Sequence, residues 1–221
     1  MNNSIFIRVI FVALIFSITL FSSSFIKSET YKRMASTYGD SGVKKLEKLD
    51  KLISDLSGQN EAVKLVKVNE FFNNPSILRW ADDKDTWGKT DYWANRFESL
   101  GKGRGDCEDF VIAKYLTLLN LGVSENKLFF TYVYANFGGK WISHMVLSYY
   151  EKPGDIPFIL DSNTTTIKRA NQRNDLKPVL TFNAKDLFLT KQASSGKLSA
   201  KSSKYTKDWS DYLEKLKKGD L

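Results

Sequence analysis

Apolar residues in the first part of the chain recur with a helical period. Between residues 43 and 56 they follow a 3.6-residue repeat, with Ser41 before them as a cap and Gly58 after them as a stop. A second helix is predicted over residues 61–72, where apolar residues fall on one side, and it ends there because Pro75 disfavours helix in the residue before it. The pattern therefore indicates two amphipathic helices.

The pattern is less regular in the segment that follows. We expect residues 77–88 to be irregular, and we expect Asp91 to cap a short helix that reaches Phe97. Glycine occupies every second position of residues 101–105, which allows a tight loop before the next element.

After this loop a helix is followed by alternating strands. Residues 107–121 fit a mostly buried helix that Gly122 closes. Segments rich in aromatic and β-branched residues then predict an antiparallel meander, at residues 128–135, 141–150 and 156–161. Further elements are predicted as a polar loop at 164–177, strands at 179–182 and 187–189, and a short helix at 209–216. Helices followed by antiparallel strands predict an α+β fold.

The N-terminus has the layout of a secretory signal peptide. Arg8 precedes an apolar stretch at residues 9–21, and three serines follow it. We expect export and removal of residues 1–24, and the alternative is an uncleaved membrane anchor over residues 9–26.

Composition indicates one globular unit with a basic tail. With 42% hydrophobic and 14% aromatic residues, the 221-residue chain does not have a disordered composition. We expect one domain over residues 43–190 and a basic polar tail over residues 191–221, where lysines contribute to the net charge of +8. A lysine-rich tail is typically solvated, and we expect no nucleic-acid partner.

The chain contains a single cysteine, Cys107, and a single histidine, His144. A lone cysteine excludes a disulfide within the chain, so the core alone must hold an exported domain together. Cys107 opens a predicted helix, whose N-terminus favours a thiolate, and an imidazolium at His144 would favour it further. The alternative is a buried cysteine that acts as a small hydrophobe.

Asp161 ends the strand that follows the histidine strand, so it can meet His144 across the predicted sheet. In a catalytic triad, an acid at this position fixes the tautomer of the imidazole and stabilises its cation. Spacing thus makes Cys107, His144 and Asp161 a candidate triad. A packing histidine and a turn-forming aspartate are the alternative.

Three acidic residues flank the cysteine, namely Asp106, Glu108 and Asp109. Like charges beside a thiolate raise its pKa and oppose catalysis. Calcium would remove this conflict, because it binds carboxylate and carbonyl oxygens. Ordinary acidic capping of the helix is the alternative.

Several segments match the motifs of a known family. They are Gly-Asp-Cys-Glu-Asp-Phe-Val-Ile-Ala-Lys-Tyr at 105–115, His-Met-Val-Leu at 144–147, Leu-Asp at 160–161, Val-Asn-Glu-Phe-Phe-Asn at 68–73 and Asp-Tyr-Trp-Ala at 91–94. With them the chain resembles the LapG-type bacterial transglutaminase-like periplasmic cysteine proteinases over roughly residues 43–189.

The resemblance implies a papain-like/transglutaminase-like cysteine proteinase fold, with the nucleophile on a helix packed against an antiparallel sheet. In this fold Cys107 would be the nucleophile, His144 the general base and acid, and Asp161 the orienting acid. The calcium dependence of the family falls by position on Asp106 and Glu108, with Asp109 as an addition.

The resemblance also implies a substrate and a partner. The family cuts the N-terminal region of a large surface adhesin next to paired alanines, so that cells detach from a biofilm, and its partner is an inner-membrane cyclic di-GMP receptor of the LapD type. A periplasmic, calcium-dependent cysteine endopeptidase is therefore expected. The alternatives are a transglutaminase or cell-wall amidase with the same acyl-enzyme, or a non-catalytic calcium-binding module that docks on a receptor.

Overall fold

The computed structural model describes residues 25–183, 187–189, 210–212 and 214. The α-helices of this part of the chain are α1 (Ser28–Leu56), α2 (Glu61–Phe72), α3 (Asp83–Trp87), α4 (Arg96–Lys102) and α5 (Cys107–Asn120). Its strands are β1 (Arg79–Trp80), β2 (Arg104–Gly105), β3 (Leu128–Phe137), β4 (Lys140–Tyr149), β5 (Phe158–Asp161), β6 (Thr164–Arg169), β7 (Leu176–Phe182) and β8 (Leu187–Leu189). The predicted helices at α2 and α5 are therefore confirmed.

Both ends of the chain lie largely outside the described residues. The predicted signal segment, residues 1–24, falls outside them, as does most of the predicted tail, residues 191–221. Residues 210–212 and 214 are helical, and Tyr212 is buried against the core. Within the described part of the chain, none of the helices has both the length and the hydropathy needed to cross a membrane.

Helix α1 begins earlier than the sequence predicts. A helix was expected from about residue 43, but α1 starts at Ser28 and bends at Gly39, where φ is 62°. The polar stretch is helical because Met34 and Tyr38, one turn apart, pack against the core. The prediction was wrong because these apolar anchors are sparse among polar residues.

The segment between α2 and α5 is more ordered than predicted. Strand β1 pairs in parallel with β2, and α3 forms where irregular structure was expected. Asp91 does not cap a helix, because Asn95 accepts hydrogen bonds from the N–H groups of Phe97 and Glu98, and Glu98 bonds back to the Asn95 N–H. This capping box starts α4 at Arg96.

Six strands form one antiparallel sheet in the order β6-β5-β4-β3-β7-β8. The predicted meander of β3, β4 and β5 is confirmed, and its first turn places Gly138 and Gly139 at positive φ. The polar loop predicted over residues 164–177 is wrong, since it contains β6 and the start of β7. Three consecutive threonines and Ile167 are β-branched and favour an extended backbone there.

Helix α5 packs against this sheet and supplies the middle of the core. Ile112 and Leu118 of α5 are fully buried in the same cluster as Phe130 and Leu147 of the sheet. The ring of Tyr115 lies 5.0 Å from that of Phe130, centroid to centroid. The expected α+β arrangement is confirmed, with the cysteine helix on an antiparallel sheet.

Candidate active site

Cys107 is the first residue of α5, and its thiol lies between the helix end and β4. The S–H donates to Glu108, with Sγ 3.0 Å from Oε2, and the backbone N–H of Met145 on β4 donates to the sulfur. Burial raises the pKa of the Cys107 thiol well above its usual value, and the carboxylates of Glu108 and Asp106 raise it further, while the Met145 N–H lowers it. The resting thiol is therefore neutral.

His144 on β4 and Asp161 at the end of β5 form a buried pair. Nε2 of His144 lies 2.8 Å from Oδ1 of Asp161, and the two side chains are 5% and 1% exposed. A ring that donates from Nε2 leaves Nδ1 available for another partner. This is the imidazole orientation that a triad needs.

Asp161 is held by several donors at once. Nη2 of Arg173 lies 2.6 Å from Oδ2, the backbone N–H of Asn163 donates to Oδ1, and Asn73, just after α2, donates to the backbone carbonyl. Burial alone would raise the pKa of Asp161, but the hydrogen bonds from His144, Asn163 and Arg173 hold it well below its usual range. The carboxylate is therefore anionic and fixed in position.

The contact of α5 with β4 brings the cysteine beside the histidine strand. Met145, whose N–H reaches the sulfur of Cys107, directly follows His144 in the chain. Strand β5 pairs with β4 at residues 147–149, so β4 has no β5 partner at His144. Cys107 therefore lies beside the residue that follows His144 on β4, and His144 bonds to Asp161.

The predicted metal ligands lie in a larger group of carboxylates, which we call the acidic cluster. Ligand atoms of Asp83, Asp106 and Asp109 all lie within 4.8 Å of one another, and so do those of Asp83, Asp91 and Glu108. Asp83 begins α3, and Asp91 lies in the loop before α4. The structure therefore brings Asp106, Glu108 and Asp109 together with two further acids.

The geometry of the acidic cluster fits a hard cation. Oδ1 of Asp83, Oδ1 of Asp106 and Oδ2 of Asp109 are buried and have no hydrogen-bond partner among the described residues. Burial raises the pKa of all three carboxyls, and the charge of Glu108 raises each of them further. Crowded, buried carboxylate oxygens without donors are the ligands that a divalent cation such as calcium takes.

Gly105 shapes one wall of the acidic cluster. A Cβ added at this glycine would lie 2.7 Å from both Cβ and Oδ2 of Asp109. Asp109 is fully buried, and its Oδ1 accepts the backbone N–H of Ala94. The glycine before the cysteine therefore leaves room for the Asp109 carboxylate.

Sequence reasoning missed four residues of this region. Asp83 lies where irregular structure was expected, and Asp91 was interpreted as a helix cap. Arg173 and Asn163, which bond to Asp161, lie in or beside the segment predicted as a polar loop. The visible signals were the run of acids around Asp83 and the family motif that begins at Asp91.

Comparisons with known proteins agree with this geometry. The sequence profile described as "Bacterial transglutaminase-like cysteine proteinase BTLCP" matches residues 43–175. Calcium-bound LapG of Legionella pneumophila is similar with 35% identity and a TM-score of 0.69, over 86% of this chain and 99% of its own. A second LapG structure from that organism gives 36% identity and a TM-score of 0.69 over 86% of this chain and 98% of its own.

The EGTA-treated form of that Legionella pneumophila protein is also similar, with 38% identity and a TM-score of 0.64 over 75% of this chain and 87% of its own. Among curated protein sequences, no match was found. The family profile covers more than half of the chain, and the structural match to calcium-bound LapG covers 86% of it. The chain belongs to the family of bacterial transglutaminase-like cysteine proteinases.

Proposed function

We propose that this proteinase is an exported, calcium-dependent endopeptidase with Cys107 as nucleophile, His144 as general base and acid, and Asp161 as the orienting acid. One observation carries the proposal. The N–H of Met145 donates to the Cys107 sulfur, while the preceding residue, His144, is hydrogen-bonded to the buried Asp161. A nucleophile on the neighbouring helix, with a base that is bonded to an orienting acid, supplies the parts that thiol hydrolysis needs.

The reaction would take place in two halves. His144 accepts the proton of Cys107, the sulfur attacks the peptide carbonyl carbon, and His144 returns the proton to the leaving amine, which leaves a thioester. His144 then takes a proton from water, the hydroxide attacks the thioester, and the thiol is regenerated with release of the acid. The backbone N–H of Cys107, at the start of α5, would donate to the oxyanion.

The acidic cluster would hold the calcium ion, with Asp83 and Asp91 added to the predicted Asp106, Glu108 and Asp109. Its unpaired, buried carboxylate oxygens support this assignment, and one similar LapG structure is calcium-bound. Bound there, calcium supplies positive charge that offsets the carboxylates beside the thiol. The Cys107 S–H, which donates to Glu108 in this structure, would have to turn to His144 before the proton can be transferred and the sulfur can attack.

The proposed substrate is the N-terminal region of a large surface adhesin, cut next to paired alanines. Its cleavage would release the adhesin and detach cells from a biofilm. The proposed partner is an inner-membrane cyclic di-GMP receptor of the LapD type, and the proposed location is the periplasm, reached through the signal peptide of residues 1–24. Family membership and the likeness to LapG support these proposals.

One experiment separates this function from its alternatives. Purified protein is incubated with an adhesin fragment that contains an alanine pair, in calcium or in EGTA, with an amine donor and peptidoglycan in parallel reactions. We expect wild type to cut the fragment in calcium only, and we expect Cys107→Ser to be inactive. Amine incorporation without cleavage would indicate a transglutaminase. Release of peptidoglycan fragments would indicate an amidase. In cells, full adhesin release by the Cys107→Ser variant would indicate a docking module.

A further inference from the structure

Arg173 contacts the carboxylate of Asp161 through the oxygen that His144 does not use. Its Nη2 lies 2.6 Å from Oδ2 of Asp161, whereas Nε2 of His144 lies 2.8 Å from Oδ1. The arginine side chain is 7% exposed and the Asp161 side chain 1% exposed. We propose that Arg173 is a positioning residue that keeps Asp161 oriented toward His144 throughout the reaction. This inference rests on the proposed function.

The guanidinium group of Arg173 is itself fixed from a second side. Nε lies 2.9 Å from Oδ1 of Asp175, and Nη2 lies 2.7 Å from Oδ2 of the same residue. The Asp175 side chain is 49% exposed, so it lies at the surface end of this chain of contacts. A planar fork that bonds two carboxylates at once is a property of arginine that lysine lacks. Arg173 therefore connects a buried catalytic acid to a surface anchor.

Charge explains why a permanent cation is useful at this position. A buried carboxylate is costly unless it is paired. If His144 were the only counter-charge, Asp161 would lose its pairing each time the imidazole gave up its proton. Arginine stays protonated, so Arg173 compensates Asp161 in both protonation states of His144. The histidine can then exchange protons while the acid keeps its charge and its place.

The other groups around Asp161 do not supply this function. Lys114 of α5 acts on Asp161 electrostatically, but its Nζ is buried and has no hydrogen-bond partner among the described residues. The backbone N–H of Asn163 carries no charge, and Asn73, just after α2, bonds to the Asp161 backbone carbonyl rather than to its carboxylate. Within the described residues, Arg173 is thus the permanent cation hydrogen-bonded to this carboxylate.

The test compares Arg173→Met and Arg173→Lys with a matched control, Arg169→Met. Arg169 is a partly exposed arginine of β6 that bonds to the backbone carbonyl of Ile156 and stacks on Phe158. Misplacement of a catalytic group lowers the reaction rate by about 10²-fold. We therefore expect Arg173→Met to lower kcat on the adhesin fragment by about that factor, and to change KM by less than about threefold. Arg173→Lys should recover part of kcat, and Arg169→Met should match wild type.

A second readout needs no activity. His144 is the only histidine, so in untagged, ¹⁵N-labelled protein the imidazole signals are its own. We expect wild type to show the tautomer with the proton on Nε2, and Arg173→Met to show a mixture of tautomers. The inference is overturned if Arg173→Met matches Arg169→Met in both kcat and ring spectrum. If Arg173→Met does not fold, Arg173→Lys with kcat within about twofold of wild type and an unchanged ring spectrum overturns it. If wild type cuts no peptide, the proposed function fails, and the ring spectrum still decides the role of Arg173.

Discussion

Replacing Asp83 with asparagine removes one charge from the acidic cluster and keeps a side-chain oxygen to accept the Tyr92 N–H. Burial, with the nearby charges of Glu108 and Asp91, raises the pKa of Asp83 to about 6 from 3.8. One pKa unit corresponds to about 1.4 kcal/mol, so the ionised carboxylate costs roughly 3 kcal/mol before solvent screening and roughly 1–2 kcal/mol after it. Calcium-free Asp83→Asn should be more stable than wild type at neutral pH by this smaller amount.

Calcium should reverse this order. Wild type gains about 2.7 kcal/mol when free calcium is a hundredfold above its dissociation constant, and Asp83→Asn, which has lost one ligand, gains little. Thermal melts in EGTA and in calcium measure both effects, since about 1 kcal/mol moves the melting temperature by about 2–4 °C in a chain of this size.

Asp85→Asn is the matched control for these melts, because Asp85 is an exposed acid on the same helix, α3. It should follow wild type in both conditions. The reasoning is refuted if Asp83→Asn is less stable than wild type in EGTA, or if calcium stabilises it as much as wild type.

The remaining predictions concern calcium binding and the imidazole. Calcium binding should release protons and weaken as pH falls, because the buried carboxyls of the acidic cluster have raised pKa values and must ionise to bind the ion. Calorimetry in two buffers measures the number of protons released, and heats that do not depend on the buffer would contradict this prediction. Gly105→Ala should weaken calcium binding in the same assay, because its Cβ would collide with Asp109; an unchanged affinity would contradict this. Asp161→Asn should lower kcat by about 10²–10⁴-fold, because an amide can favour the wrong tautomer of His144. A loss of kcat below about tenfold in initial-rate assays would argue against a catalytic role for the His144–Asp161 pair.

The candidate catalytic residues could be found from the sequence because each is marked by a local pattern. Cys107 starts a buried helical repeat, His144 lies in an alternating strand, and Asp161 ends the next strand. Consecutive antiparallel strands lie side by side, so the last two residues were expected to meet. The helix, the strands and the hydrogen bond between His144 and Asp161 are all present in the structure.

The rest of the site depends on contacts that leave no periodic pattern. Asp83 and Asp91 lie between two parallel two-residue strands, β1 and β2, which are too short to show alternation. Arg173 lies within the segment predicted as a polar loop, and its partner Asp161 comes from strand β5. Such residues become visible only when tertiary packing brings distant segments together.

The most direct test of the central claim is the mass of the protein during turnover. The account predicts that a rapidly acid-quenched reaction with the adhesin fragment contains a peptide with Cys107 whose added mass equals the N-terminal cleavage product less one water. It also predicts that Cys107→Ser protein shows neither this adduct nor cleavage. Cleavage that continues in Cys107→Ser, or wild-type turnover in which no acyl group ever appears on Cys107, would contradict the account.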